Sequence, residues 1–163
     1  MPAGRRAAGR YRREMLADWL IVIAGIALLI SLFLTWSHQF SPAFLAEYGS
    51  SAQLAGVPRD PDAWQLYSVV DVLLAILAGA LIAVALAGSR LARLWTLAAS
   101  VVGLAFAVHA LSVPPTNGAN IFNPSLAVPS YAANSPAAGP GETLAIVALS
   151  MGIAGLVLSF TAD

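Results

Sequence analysis

The sequence predicts an all-α fold, a bundle of four transmembrane helices. Two features of it carry that prediction. Hydrophobic residues make up 59% of the 163 residues and charged residues only 10%, whereas a soluble domain carries roughly 25% charged residues. The mean hydropathy is correspondingly high, at +0.79. Four apolar runs each approach the roughly 20 residues needed to cross the hydrocarbon core of a bilayer. They are continuous and rich in Ala and Leu, without the alternation that the strands of a membrane barrel require.

Residues 1–17 form a basic arm. Five of the eight basic residues, Arg5, Arg6, Arg10, Arg12 and Arg13, precede the first apolar run, and there is no Lys. Each Arg near an anionic lipid surface contributes about 1 kcal/mol, so the arm reads as a topology determinant that touches lipid headgroups. Five arginines in front of a span are ordinary, and nucleic-acid binding is not expected. The first span covers 18–36 and contains WLIVIAGIALLISLFLTW. YRREML faintly suggests an export signal, but the run is too long for a signal h-region and lacks a small-x-small cleavage site. It is expected to stay as a span.

Residues 37–63 form the first loop. Within it, SPAFLAEYG reads as a short helix with Ser41 as N-cap, Pro42 at the first position and Gly49 as the stop. VPRDPDAW then reads as a turn, with Asp62 placed as an N-cap for the second span. The second span covers 64–87, an 88–91 turn comes next, and the third span covers 92–113. Residues 114–142 form a second loop with six prolines and no charge before Glu142. That composition suits irregular chain, and a cap over the bundle is preferred to a segment covering a ligand or docking a partner. The fourth span covers 143–161.

Orientation follows from the arginines. The arm and the 88–91 connection carry basic residues, including Arg90 and Arg93 close by, while the two long loops carry only Arg59. The positive-inside rule therefore places both termini in the cytoplasm and both loops outside, as a multi-pass protein of the cell membrane. Trp19 and Trp95 fall at inner ends and Trp36 and Trp64 at outer ends, as interfacial anchors would.

Few residues are suited to chemistry. There is no Cys, hence no disulfide or thiolate site. His38 and His109 are too few for a metal site unless carboxylates complete it. Phosphate-binding, dinucleotide-binding, zinc-protease and serine-hydrolase motifs are all missing. No catalytic residue, cofactor or metal is expected.

Asp71 is the exception, because an ionisable group inside a span costs roughly 2.5–3.5 kcal/mol and usually faces a partner or cavity. Ala75, Gly79, Ala83 and Ala87 follow it at four-residue intervals, a small-residue row of the kind that packs helices in lipid. Ala99, Gly103 and Ala107 make a similar row on the third span, and Ala148 and Gly152 one on the fourth. Across the 88–91 turn, Asp71 and His109 reach the same height. The histidine, however, lies about 200° round its helix from Ala107. A polar clasp of Asp71 with His109 is one expectation. The other is that Asp71 reaches the backbone, Ser68, or a hydroxyl or indole from the first loop or span. A relay would need further polar groups across the membrane and a broken span, and neither is evident.

Leu34 and Trp36 closing the first span, then Trp64, Tyr67 and Asp71 opening the second, resemble a group of four-span membrane proteins of high-GC actinobacteria. VHALSVPP and GIAGLVLSF are also similar, so the resemblance covers most of the chain. The long Pro-rich second loop and Thr35, where Pro or Asp is commoner, depart from it. The resemblance implies a topology and no mechanism. The leading expectation is a non-enzymatic accessory or scaffold subunit of a larger membrane assembly, with the lipid bilayer and a membrane protein or a second copy as partners. The alternatives are a small carrier or channel component using Asp71 and His109 near the outer face, and an outward-facing binding module for a lipid or apolar ligand.

Overall fold

The computed structural model describes residues 3–40, 46, 60–67, 69–113 and 137–162. In chain order these form α1 (Ala3–Ser31), β1 (Ser37–His38), α2 (Ala63–Leu66), α3 (Val70–Ala87), α4 (Arg90–Ser112), β2 (Ala137–Ala138) and α5 (Pro140–Ala162). Four of these helices are long and apolar enough to cross a membrane: Tyr11–Ser31 within α1, then α3, α4 and Pro140–Thr161 within α5. The expected helix at SPAFLAEYG falls, apart from Ala46, outside the described residues, as does the second loop from 114 to 136.

Two boundaries differ from the sequence reading. The first long helix stops at Ser31, five residues short of Trp36. There Ser31 Oγ donates to Leu28 O at 2.6 Å, and the N–H groups of Leu32, Phe33 and Leu34 bind carbonyls three residues back. This tightening is how a helix end satisfies its last carbonyls. The second apolar run is not one helix either. α2 ends at Tyr67, whose backbone is extended at φ −121° and ψ 138°, and α3 begins only at Val70. The run YSVV joins an aromatic, a Ser and two β-branched residues, all weaker helix formers than the Leu and Ala further on.

The other ends are built from capping chemistry. Asp62 accepts from Gln65 N at 2.9 Å and starts α2. Ser89 accepts from Ala92 N at 3.3 Å and starts α4 after a two-residue turn at Gly88 and Ser89. Pro140 opens α5 at the position where a missing N–H costs nothing.

The four long helices run up, down, up and down. Gly88, Ser89 and the last turn of α5 lie at one end, called here the turn end. Trp36, α2 and the start of α5 lie at the other, the loop end. α1 is central and packs along α5 and α3, while α5 also packs on α4. The buried residues of α3 are Asp71, Leu74, Leu77, Ala78, Leu81, Val84 and Ala85, a row at three- and four-residue steps. The apolar ones join Ile21, Leu28 and Leu32 of the first segment and Ala145, Ala148, Leu149 and Leu156 of α5 in one core. α3 and α4, though joined by the shortest connection, touch less than the other neighbouring pairs of long helices and leave a groove between them.

Candidate functional site

The densest polar and aromatic grouping lies at the loop end, around Trp36. Beyond Ser31 the chain folds back over the helix it has just left, so that Trp36 Nε1 donates to Ser31 O at 2.7 Å. The backbone of this stretch is paired on two sides. Trp36 N donates to Pro61 O at 2.9 Å, Gly139 N to Trp36 O at 2.8 Å and Gly141 N to Thr35 O at 2.8 Å. The antiparallel pairs Ser37 with Ala138 and His38 with Ala137 continue the second of these contacts. The stretch thus ties both connecting loops to the core. Gly141 is required there by close approach: a Cβ would stand 2.5 Å from the Trp36 ring and 2.9 Å from Ser31 O.

Aromatic rings extend the cluster toward α4. Tyr67 meets Trp36 edge-on at 5.7 Å and Phe106 at 5.4 Å, the geometry that ring quadrupoles favour. Tyr67 holds this position because the α2–α3 break frees its backbone from the helix. Its phenol is pushed upward by burial first and by the nearby charge of Glu142 second.

Two carboxyl groups are buried at this end. Asp71 is 3% exposed, and its Oδ1 accepts from Val72 N at 2.8 Å. It stands in the first turn of α3, where unpaired N–H groups and the helix dipole favour a negative charge. Glu142 is fully buried in the first turn of α5. Neither of its oxygens has a hydrogen-bond partner among the described residues. Sequence reasoning passed over Glu142, although it is the only Asp, Glu, Lys or Arg between Arg93 and Asp163. That isolation was the available signal, and a first-turn acid is common enough to hide it.

The other expected site residues distribute unevenly. Asp71 and His109 are not brought together: the aspartate turns to its own backbone, while His109 stands exposed on α4. The row Gly79, Ala83 and Ala87 faces out of the bundle, with Ala75 half-buried at its edge. A Cβ on Gly79 would meet nothing within 4 Å. The seam expected on that row lies instead on the Asp71, Leu74, Ala78, Leu81 and Ala85 side. On α4, Gly103 and Ala107 are buried but Ala99 is exposed, and on α5 Gly152 is buried against Ala24 and Leu81. Trp19, Trp64 and Trp95 are exposed, whereas Trp36 is completely buried and so is a core residue, not a surface anchor. Arg12 and Arg13 are exposed; the side chains of Arg5, Arg6 and Arg10 lie outside the described residues.

No family model, curated protein or solved structure matches the chain.

Several hydroxyls of the long helices are held locally. The hydroxyls of Ser31, Thr96, Ser100 and Ser159 each donate to a carbonyl three or four residues back in their own helix. His38 Nδ1 meets Asp60 Oδ1 at 2.6 Å on the surface. At the turn end Arg93 reaches Asp18 at 3.3 Å, and the Arg90 guanidinium lies 6.0 Å from the centre of the Phe160 ring. Among the described residues no three His, Asp or Glu side chains converge as metal ligands.

Proposed function

We propose that this protein is a non-enzymatic, multi-pass protein of the cell membrane that serves as an accessory or scaffold subunit of a larger membrane assembly. The observation that carries the proposal is the outward-facing row of Gly79, Ala83 and Ala87 on α3, with open space beside Gly79. Helices in lipid associate through small residues that let backbones approach closely, and the bundle itself makes no use of this row. Its occupant is a helix of a membrane partner or of a second copy. The Trp36 cluster holds the two loops against the bundle's end and keeps the helices in register.

Both termini belong in the cytoplasm. Exposed Arg12 and Arg13 in α1, and Arg90 and Arg93 at the start of α4, favour that side for the turn end. The four-span proteins that the sequence resembles are the group to which it is assigned under this proposal.

Size-exclusion chromatography in a mild detergent tests it, with protein drawn from its own membrane. The wild type is expected to elute in a complex, and Gly79→Leu as the lone chain with an unchanged unfolding midpoint. A carrier role for Asp71 is disfavoured, because the spans' buried hydroxyls donate within their own helices and supply no onward chain of donors. Proton or ion flux in vesicles, abolished by Asp71→Asn with folding intact, would establish the carrier and overturn the proposal.

A further inference from the structure

At the turn end, α1, α4 and α5 leave a polar cavity between them. Glu14 and Asp18 line its α1 side, Arg90 and Arg93 its α4 side, and Gly88 of the turn and Ser159 of α5 complete it. Two carboxylates and two guanidiniums so close together could neutralise one another, yet among the described residues only one ion pair joins them. Arg93 reaches Asp18 Oδ1 at 3.3 Å, which leaves the other oxygen of Asp18 able to accept. Arg90 makes no ion pair or side-chain hydrogen bond among the described residues. Its guanidinium lies 6.0 Å from the centre of the Phe160 ring, a contact that uses none of its five N–H donors. The cavity thus holds a cation on one wall and an anion on another, each with bonding capacity left over.

Depth narrows the occupant. Gly88, Arg90 and Ser159 lie within two residues of the span ends at Ala87, Arg90 and Thr161. Trp19 and Trp95, close in sequence to Asp18 and Arg93, are exposed, as side chains at the boundary of hydrocarbon and water are. That is the level of phospholipid headgroups. A purely anionic headgroup could set its phosphate on Arg90 but would bring no positive charge to the carboxylates. A choline nitrogen has no N–H to donate and suits aromatic faces, and the Phe160 ring is already taken by Arg90. A primary ammonium donates up to three hydrogen bonds to carboxylates, and a guanidinium takes phosphate through two parallel N–H donors. Phosphoethanolamine carries both groups in one headgroup.

We infer that the turn-end cavity is a binding site for a phosphoethanolamine lipid headgroup, with its phosphate on Arg90 and its ammonium at Asp18 and Glu14. This rests on the multi-pass membrane placement proposed above and goes beyond the subunit role.

The test uses the full chain reconstituted in vesicles of equal parts dioleoyl phosphatidylethanolamine, phosphatidylcholine and phosphatidylglycerol. After re-extraction in mild detergent, the retained lipid classes are counted by mass spectrometry. The ethanolamine lipid is expected to be enriched about tenfold over each of the others, one decade of affinity. Arg90→Gln and Asp18→Asn each remove one half of the site and should return retention to the vesicle composition, and the unfolding midpoint identifies the variant that folds normally. Wild-type retention that follows the vesicle composition or favours phosphatidylglycerol overturns the site, as does undiminished enrichment in a folded variant. Glycerophosphoethanolamine carries the same two charges without acyl chains. Added at the lipid's own concentration it should displace nothing; displacement would assign the cavity to a soluble ester and overturn the lipid. Carbonate washing of the vesicles reads the membrane placement separately: protein released by it overturns both proposals, whereas embedded protein without the ethanolamine preference overturns the site alone.

Discussion

Two glycines separate the observed orientation of α3 from the one its small-residue row suggests. On α1, a Cβ added at Gly25 would stand 2.7 Å from Ile82 Cγ1 and 2.8 Å from Ala78 O. Ile82 can rotate away, but the Ala78 carbonyl is helix backbone. Carbon contacts are comfortable only from about 3.5 Å, so α1 and α3 must separate by about 0.7 Å to admit the methyl. Overpacking of this kind costs about 1–3 kcal/mol. At about 2–4 °C per kcal/mol for a chain of this size, Gly25→Ala should lower the unfolding midpoint by about 4–8 °C for a mid-range loss. Gly79→Ala meets nothing within 4 Å. It gains at most the helix preference of Ala over Gly, about 0.5–1 kcal/mol in water, and less where helices persist in the unfolded state in lipid. Its midpoint should therefore hold or rise slightly. The assay is thermal unfolding of both variants, as monomers in the same detergent, followed by near-ultraviolet circular dichroism. If Gly79→Ala destabilised as much as Gly25→Ala, α3 would be turned about its axis and the packing described above would be refuted.

The loop end offers two further measurements. Trp36→Phe keeps an aromatic ring but removes the 2.7 Å bond to Ser31 O; because Leu34 N still donates to that carbonyl, the lost bond should cost about 0.5–1.5 kcal/mol in the same unfolding assay. Asp71→Ala removes the acceptor for Val72 N and should cost about 0.5–2 kcal/mol. Asp71→Asn keeps an acceptor oxygen and should lose less; equal losses would assign the effect to charge and not to the hydrogen bond.

The existence of four helices long and apolar enough to cross a membrane was legible because length and apolar content alone decide it. What the sequence concealed was the rotation of α3. In a surface helix of a soluble protein, polar residues mark the outer face, but from Val72 to Ala87 every residue is apolar or Gly, so the run carries no such mark. Two rows then compete at helical spacing, Ala75–Gly79–Ala83–Ala87 and Leu74–Ala78–Leu81–Ala85. The small row suits close helix contact in lipid, and it attracted the assignment. The bundle buries the other row because α1 brings its own small residue, Gly25, to the crossing. One glycine at a crossing is enough for close approach, which leaves the opposing helix free to present leucine. Trp36 misled for a related reason. A tryptophan at the end of an apolar run suits an interfacial belt, but that inference assumes the helix continues to it. The helix stops at Ser31, and a chain that turns back needs a large side chain to cover the exposed helix end and a donor for its last carbonyl. The indole supplies both. The location of Asp71 at the loop end could be read from its distance to the turn, whereas its partner could not. A carboxylate two residues into a helix finds backbone N–H groups already unpaired beside it, and that local solution needs no help from His109 across the hairpin.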